Sequence, residues 1–246
     1  MADNPQTYFI SDLHLEASRP AVAEAFFQFL HHTAKNAEAI YILGDFFNAW
    51  IGDDHRTPFI DRVKQNLRQC ANRGTRIYFM HGNRDFLIGD RFAAETQLSL
   101  LDEETVIDLY GHSAVLLHGD SLCTDDIEYQ KFRDLVREPS WQNQKLAYPL
   151  IVRRAIAAYM RFRSARINSN KRKDIMDVTQ KSVDDVLRRT QVNLMIHGHT
   201  HRPKRHVFTE EDQQCERIVL GDWDEHGWYL LVQRSGFELI SFPIND

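Results

Sequence analysis

The chain has 246 residues, 43% of them hydrophobic and 26% charged, with a formal net charge of −5, a globular composition that suits one large α/β domain or a domain carrying an insertion. No apolar run approaches the roughly 20 residues of a membrane-spanning helix, and the first residues lack the basic start of a signal peptide. Cys70, Cys123 and Cys215 are an odd, scattered set without Cys-x-x-Cys spacing, which argues against a disulfide framework and for a reducing, cytoplasmic compartment.

In chain order, Tyr8–Ser11 is a short β-prone run ending in Asp12-Leu13-His14. Val22, Phe26, Phe29 and Leu30 recur at helical spacing, so an amphipathic helix is expected over about 20–35. Ala39–Leu43 reads as a buried strand ending in Gly44-Asp45. Pro58 can open a second helix facing Ile60, Val63, Leu67 and Cys70 to the core, with Gly74 as its stop. Ile77–Met80 is a strand ending in His81-Gly82-Asn83-Arg84-Asp85, and Val106–Tyr110 with Ala114–Leu117 reads as a hairpin ending in His118-Gly119-Asp120. Residues 124–190 are helical in pattern, broken at Pro139 and Pro149. Strands return with Val192–Ile196, which ends in His197-Gly198-His199-Thr200-His201, then Arg217–Leu220, Trp228–Val232 and Phe237–Phe242. This order predicts one core, 1–123 with 191–246, interrupted by a helical insertion, 124–190.

Charge is uneven along the chain. Lys145, Arg153, Arg154, Arg161, Arg163, Arg166, Lys171, Arg172 and Lys173 occur with no acid among them, leaving a balance of −14 elsewhere. Such a segment is either a solvated basic face or a surface for anionic partners.

Five strand ends carry Asp, Asn or His beside Gly or Ser. Singly, a Gly-Asp step is only a turn and a strand-end His only a polar residue. Jointly they place chemistry where ligands collect in open α/β sheets, beyond the carboxyl ends of strands. In their order, Asp12-x-His14, Gly44-Asp45, Gly82-Asn83-Arg84-Asp85, His118-Gly119 and Gly198-His199-x-His201 resemble the motif set of the calcineurin-like metallophosphoesterases. That resemblance implies an α/β fold, a central β-sandwich flanked by helices, here with a helical lid. It implies one metal on Asp12, His14, Asp45 and His201 and a second on Asp45, Asn83, His118 and His199, with Asp45 bridging. Mixed imidazole and carboxylate ligands suit Mn²⁺, Fe²⁺ or Zn²⁺. Two such ions about 3.5–4 Å apart can share a hydroxide for in-line attack on phosphorus. With only Asp12 and Asp45 anionic, the loaded site stays electropositive and attracts phosphate. His197 is expected to support rather than ligate, and Asp53 and Asp54 to cap the loop before Pro58.

Arg84 stands where many enzymes of this class carry a His that protonates the leaving group. An arginine does not give up its proton readily, but it can stabilise charge on phosphoryl oxygens. A leaving phosphate, with a second pKa near 6, needs no acid, so the residue favours pyrophosphate cleavage. Asp45, His118 and Arg84 are the expected catalytic set. Ile10–Leu15, Tyr41–Asp45 with Ala49–Asp54, His81–Leu87, His118–Asp120 with Cys123–Asp126, and Ile175–Val178 resemble the branch of that family acting on UDP-2,3-diacylglucosamine in lipid A biosynthesis. The likeness implies two Mn²⁺ ions, a lipid-linked nucleotide substrate, and UMP and 2,3-diacylglucosamine 1-phosphate as products. It also implies substrate contacts at Asn83, Arg84, Asp126, Ser164, Asn168, Lys171 and His199, and a peripheral place on the cytoplasmic face of the inner membrane. Phe46 and Asn48 depart from the Leu and Glu that related sequences often carry. A monomer without nucleic-acid partners is expected; a nuclease of the same class and a non-catalytic metal scaffold are the competing readings.

Overall fold

The computed structural model describes residues 5–168, 177–210 and 212–245, with the backbone alone for 163–168. Its first sheet grows from apolar runs buried on both faces, the pattern of parallel strands: β1 (Thr7–Ile10), β2 (Ala39–Leu43), β3 (Arg76–Met80) and β4 (Leu98–Leu101) lie side by side, with Phe9 opposite Tyr41 and Ile42 opposite Phe79. On the other side of β1, the antiparallel pair β10 (His226–Gln233) and β11 (Gly236–Pro243) completes six strands. The second sheet holds five: β5 (Glu104–Leu109) and β6 (His112–Leu117) form the expected hairpin, β7 (Leu194–His197) lies parallel between β6 and β9 (Gln213–Val219), and β8 (Lys204–Glu210) is the edge.

Because successive side chains alternate across a strand, each sheet feeds two cores. Phe9, Leu43, Met80, Leu116, Ile196 and Ile218 meet between the sheets. The outer face of the first sheet, with Ile10, Ile42 and Phe79, packs under α1 (Pro20–Gln28) and α2 (Pro58–Asn72) through Phe26, Val63, Leu67 and Cys70. The second is covered by α7 (Gln180–Thr190), whose Val183, Val186 and Leu187 reach Val115, Leu117 and Met195. This is the expected α/β sandwich flanked by helices. Cys70, Cys123 and Cys215 are all buried.

Several elements differ from expectation. The first helix ends at Gln28 and widens into a π-turn, Phe29–Thr33, in which Ala34 N donates to Phe29 O (2.8 Å); the wider turn still buries Phe29 and Leu30. A short helix α3 (Asp90–Thr96) and the strand β4 follow β3 without a periodic signal long enough to announce them. Asp53 does not cap the loop before Pro58: it accepts from Gly89 N and, at 2.9 Å, from Phe92 N, so it caps α3 from a distance, while Thr57 Oγ1 caps α2 by accepting from Ile60 N (3.2 Å). The edge strand β8 is mostly solvent-exposed, which hides it from a search for apolar runs. The block 124–190 holds α4 (Ile127–Arg137), α5 (Pro139–Leu146), α6 (Leu150–Asn168) and α7. Arg153 ties α6 to the loop after β2, donating to Ile51 O (2.6 Å) and in a bidentate pair to Asp54.

Candidate metal centre

The carboxyl ends of β1, β2, β3, β6 and β7 deliver Asp12 and His14, Asp45, Asn83, His118, and His199 and His201 to one place. Five of these seven residues sit in the left-handed backbone region: Asp12 (φ 55°), His14 (49°), Asp45 (50°), His199 (67°) and His201 (55°). Each such non-glycine conformation costs on the order of 1 kcal/mol and persists only where its surroundings impose it, a pattern that clusters at functional sites. Glycines next to them let the loops interlock. A Cβ on Gly198 would lie 2.2 Å from Ser11 Oγ and 2.3 Å from Asp12 Oδ2, and one on Gly82 would lie 2.2 Å from Asp45 N.

The donor atoms converge. Asp12 Oδ2 is fixed by Ser11 Oγ (2.6 Å) and His199 N (2.9 Å), which leaves Oδ1 without a hydrogen bond, 3.3 Å from His201 Nε2. His14 Nε2 faces His201 Nε2 at 3.3 Å. Asn83 Oδ1 stands 3.0 Å from His118 Nε2 and 3.1 Å from His199 Nδ1. His118 Nδ1 is 2.8 Å from Leu43 O; a carbonyl only accepts, so Nδ1 carries a proton and Nε2 is the nitrogen that faces the site. Asp45, which accepts from Arg84 N (2.8 Å), lies between the clusters, with His118 Nε2 at 3.7 Å and His14 Nδ1 at 3.9 Å. The groups Asp12, His14, His201 and Asp12, Asp45, His118 each bring ligand atoms within 4.8 Å of one another.

A family model described as calcineurin-like phosphoesterase matches residues 6–203. UDP-2,3-diacylglucosamine hydrolase of Cellvibrio japonicus is 51% identical over 238 residues, covering 97% of this chain and 99% of that one. The proteins of the same name from Marinobacter nauticus and Escherichia coli are 53% and 48% identical, covering 93% and 96% of this chain and 94% and 99% of their own lengths. The chain belongs to the calcineurin-like phosphoesterases, among the UDP-2,3-diacylglucosamine hydrolases.

Membership implies a dinuclear metal centre, and the donor set of this phosphoesterase fits one. Burial opposes charge on Asp12, yet His201 at 3.3 Å and the neighbouring imidazoles hold its carboxyl far below the usual range. Asp45 is pushed up to about 7 by burial, with Asp85 and Asp12 adding to the rise. Burial also lowers His14 to about 3 and His199 to about 4, so both are neutral, the form that ligates. Burial works against a charge on His201, but Asp12 and Asp222 raise it to about 10. Two carboxylates crowded among facing imidazole nitrogens, with orphaned acceptor atoms, are relieved by a divalent cation and only partly by protons.

Of the expected substrate residues, Arg84 has its Nε 3.6 Å from Asp45 Oδ2 and without a hydrogen bond. Asp126 Oδ1 accepts from Tyr129 N (3.1 Å) as the N-cap of α4. The side chains of Ser164 and Asn168, and all of Lys171, lie outside the described residues. His197 is buried, with Nδ1 donating to Gly198 O (2.8 Å) and Nε2 facing Arg217 (3.1 Å).

Sequence reasoning passed over the residues that hold the donors. Asp85 is buried and accepts from Phe46 N (2.7 Å) and Gly82 N (2.8 Å), locking two ligand loops together. Asp222 lies 3.3 Å from His201 Nδ1. Asp120 accepts from Tyr129 Oη and from Arg133 Nε, each at 2.9 Å, and the Tyr129 ring lies against His199 with centroids 6.0 Å apart. Asp85 and Asp120 stood inside the quoted strings, but nothing in spacing separates a ligand from the acid that orients it.

Proposed function

We propose that this phosphoesterase hydrolyses the pyrophosphate bond of UDP-2,3-diacylglucosamine, with two Mn²⁺ ions, to UMP and 2,3-diacylglucosamine 1-phosphate. The carrying observation is the convergence of the seven candidate donor residues on one place, in a chain whose relatives bear the name UDP-2,3-diacylglucosamine hydrolase. One ion is assigned to Asp12, His14, Asp45 and His201, the other to Asp45, Asn83, His118 and His199. When bound, such a pair polarises phosphoryl oxygens and provides a water nucleophile at neutral pH.

The protein's own groups do the rest. Leu43 O holds His118 in the tautomer that presents Nε2. Arg84, held beside Asp45, supplies a permanent charge to phosphoryl oxygens of the substrate and donates no proton, which a leaving phosphate does not require. Asn83, Arg84, Asp126, Ser164, Asn168, Lys171 and His199 are assigned to substrate, and 124–190 to a lid anchored through α7 and Arg153. No helix among the described residues is long and apolar enough to cross a membrane; a peripheral place on the cytoplasmic face of the inner membrane fits the exposed Ile151, Tyr159 and Phe162 of α6. A monomer without nucleic-acid partners completes the reading.

The test is UMP release. Mn²⁺ should support it and a chelator stop it, and Asp45→Ala or His118→Ala should abolish it, since each removes a ligand. Equal turnover of an unacylated UDP-sugar would remove the lipid from the reading. Preferential cleavage of single-stranded nucleic acid would replace it with a nuclease.

A further inference from the structure

Asn48, which carries neither a ligand atom nor a charge, makes a hydrogen bond on each side. Its Nδ2 donates to Glu16 Oε2 at 2.6 Å, and its Oδ1 accepts from Arg84 Nη1 at 3.3 Å. The chemistry of the neighbours fixes the direction of the amide: an ionised carboxylate only accepts, a guanidinium only donates, and an amide does both. The backbone holds both ends of the chain in place. Asn48 N donates to Leu15 O (3.2 Å), beside the isolated bridge Leu15–Phe47, and Trp50 N donates to Arg84 O (3.0 Å).

We propose that Asn48 is a positioning residue for Arg84, turning its guanidinium toward the metal centre from a fixed point at Glu16. The inference rests on the role given to Arg84 above. Glu16 is the anchor because its carboxylate takes the shorter of the two amide bonds, 2.6 Å against 3.3 Å on the Arg84 side. An apolar residue at position 48 would leave the guanidinium without its outer partner. The amide orders Arg84 without neutralising it, so its charge remains for substrate.

The experiment is a double-mutant cycle on the Mn²⁺-loaded protein, with wild type, Asn48→Leu, Arg84→Ala and the pair. It is read as kcat and KM for UMP release and, separately, as Kd for inorganic pyrophosphate. Asn48→Leu should lower kcat/KM, and raise Kd, roughly tenfold in the wild-type background and less than about twofold beside Arg84→Ala. Equal losses in both backgrounds would overturn the inference, because Asn48 would then act independently of Arg84. Absence of UMP release from wild type would overturn the proposed function alone, and the pyrophosphate cycle would still decide the role of Asn48.

Discussion

Asp222 shows how a residue with no ligand role governs the site. Its Oδ2 lies 3.3 Å from His201 Nδ1, the far side of the ring from Asp12, so the imidazole is held in the orientation that turns Nε2 inward. Asp222→Ala frees the ring and is expected to weaken divalent-metal binding about 10- to 100-fold, measured as a shift in the metal concentration that raises Tm; an unchanged midpoint would remove Asp222 from the centre. The candidate ligands were legible because Asp, His and Asn at strand ends beside glycine are unusual in combination. Their supports were not: Asp85, Asp120 and Asp222 act through contacts that close only in the fold. The left-handed backbone of Asp12, His14, Asp45, His199 and His201 was equally hidden, because nothing in the identity of an Asp or His announces a positive φ.

At the scale of elements, long periodic segments declared themselves and short ones did not. The buried stripe of α2 and the apolar runs of β1 to β3 follow directly from pattern. The seven residues of α3 hold one buried aromatic, Phe92, and depend on partners far in sequence: Asp53 at the N-terminus and Lys64 of α2 through Glu95. Glu95 accepts from Lys64 Nζ (2.6 Å) and also meets Arg56 (2.6 Å) and Arg91 (3.0 Å). The hydrogen bond from Lys64 leads in lowering its carboxyl from 4.5 to about 2. A depressed folded pKa means that the ionised carboxylate is the stabilised form, so the contribution is complete above pH 4.5 and is lost as pH falls toward 2. Glu95→Gln should therefore cost about 1 kcal/mol at neutral pH, after allowance for solvent screening. The difference from wild type should vanish near pH 2 in urea melts, and a constant difference across that range would assign the effect to packing.

For the whole molecule, the uneven charge and the helices α4 to α6 raise one question: how a chain of net charge −5 would approach an anionic surface. It cannot do so by net attraction, so the approach has to be oriented by the basic segment, and its count overstates what is free. Arg153 is buried against Asp54 and the Ile51 carbonyl, and Lys145 lies over the rings of Trp141 and Tyr148. Apolar exposure supplies the second ingredient. Ile151, Tyr159 and Phe162 of α6 are 77%, 63% and 67% exposed, and their spacings of 8, 3 and 11 residues put them on one stripe of a 3.6-residue helix. Each large apolar side chain moved from water is worth about 1.5–3 kcal/mol, and each cation near an anionic surface about 1 kcal/mol. On the proposed peripheral reading, Ile151→Ser with Phe162→Ser should reduce partitioning onto vesicles containing anionic lipid by at least about tenfold, with UMP release from a short-chain, water-dispersed substrate retained. Raising salt should weaken the wild type on anionic vesicles and leave its poor binding to zwitterionic ones unchanged. Vesicle binding that ignores both the double substitution and salt would place the stripe in the service of the substrate's acyl chains instead of the membrane.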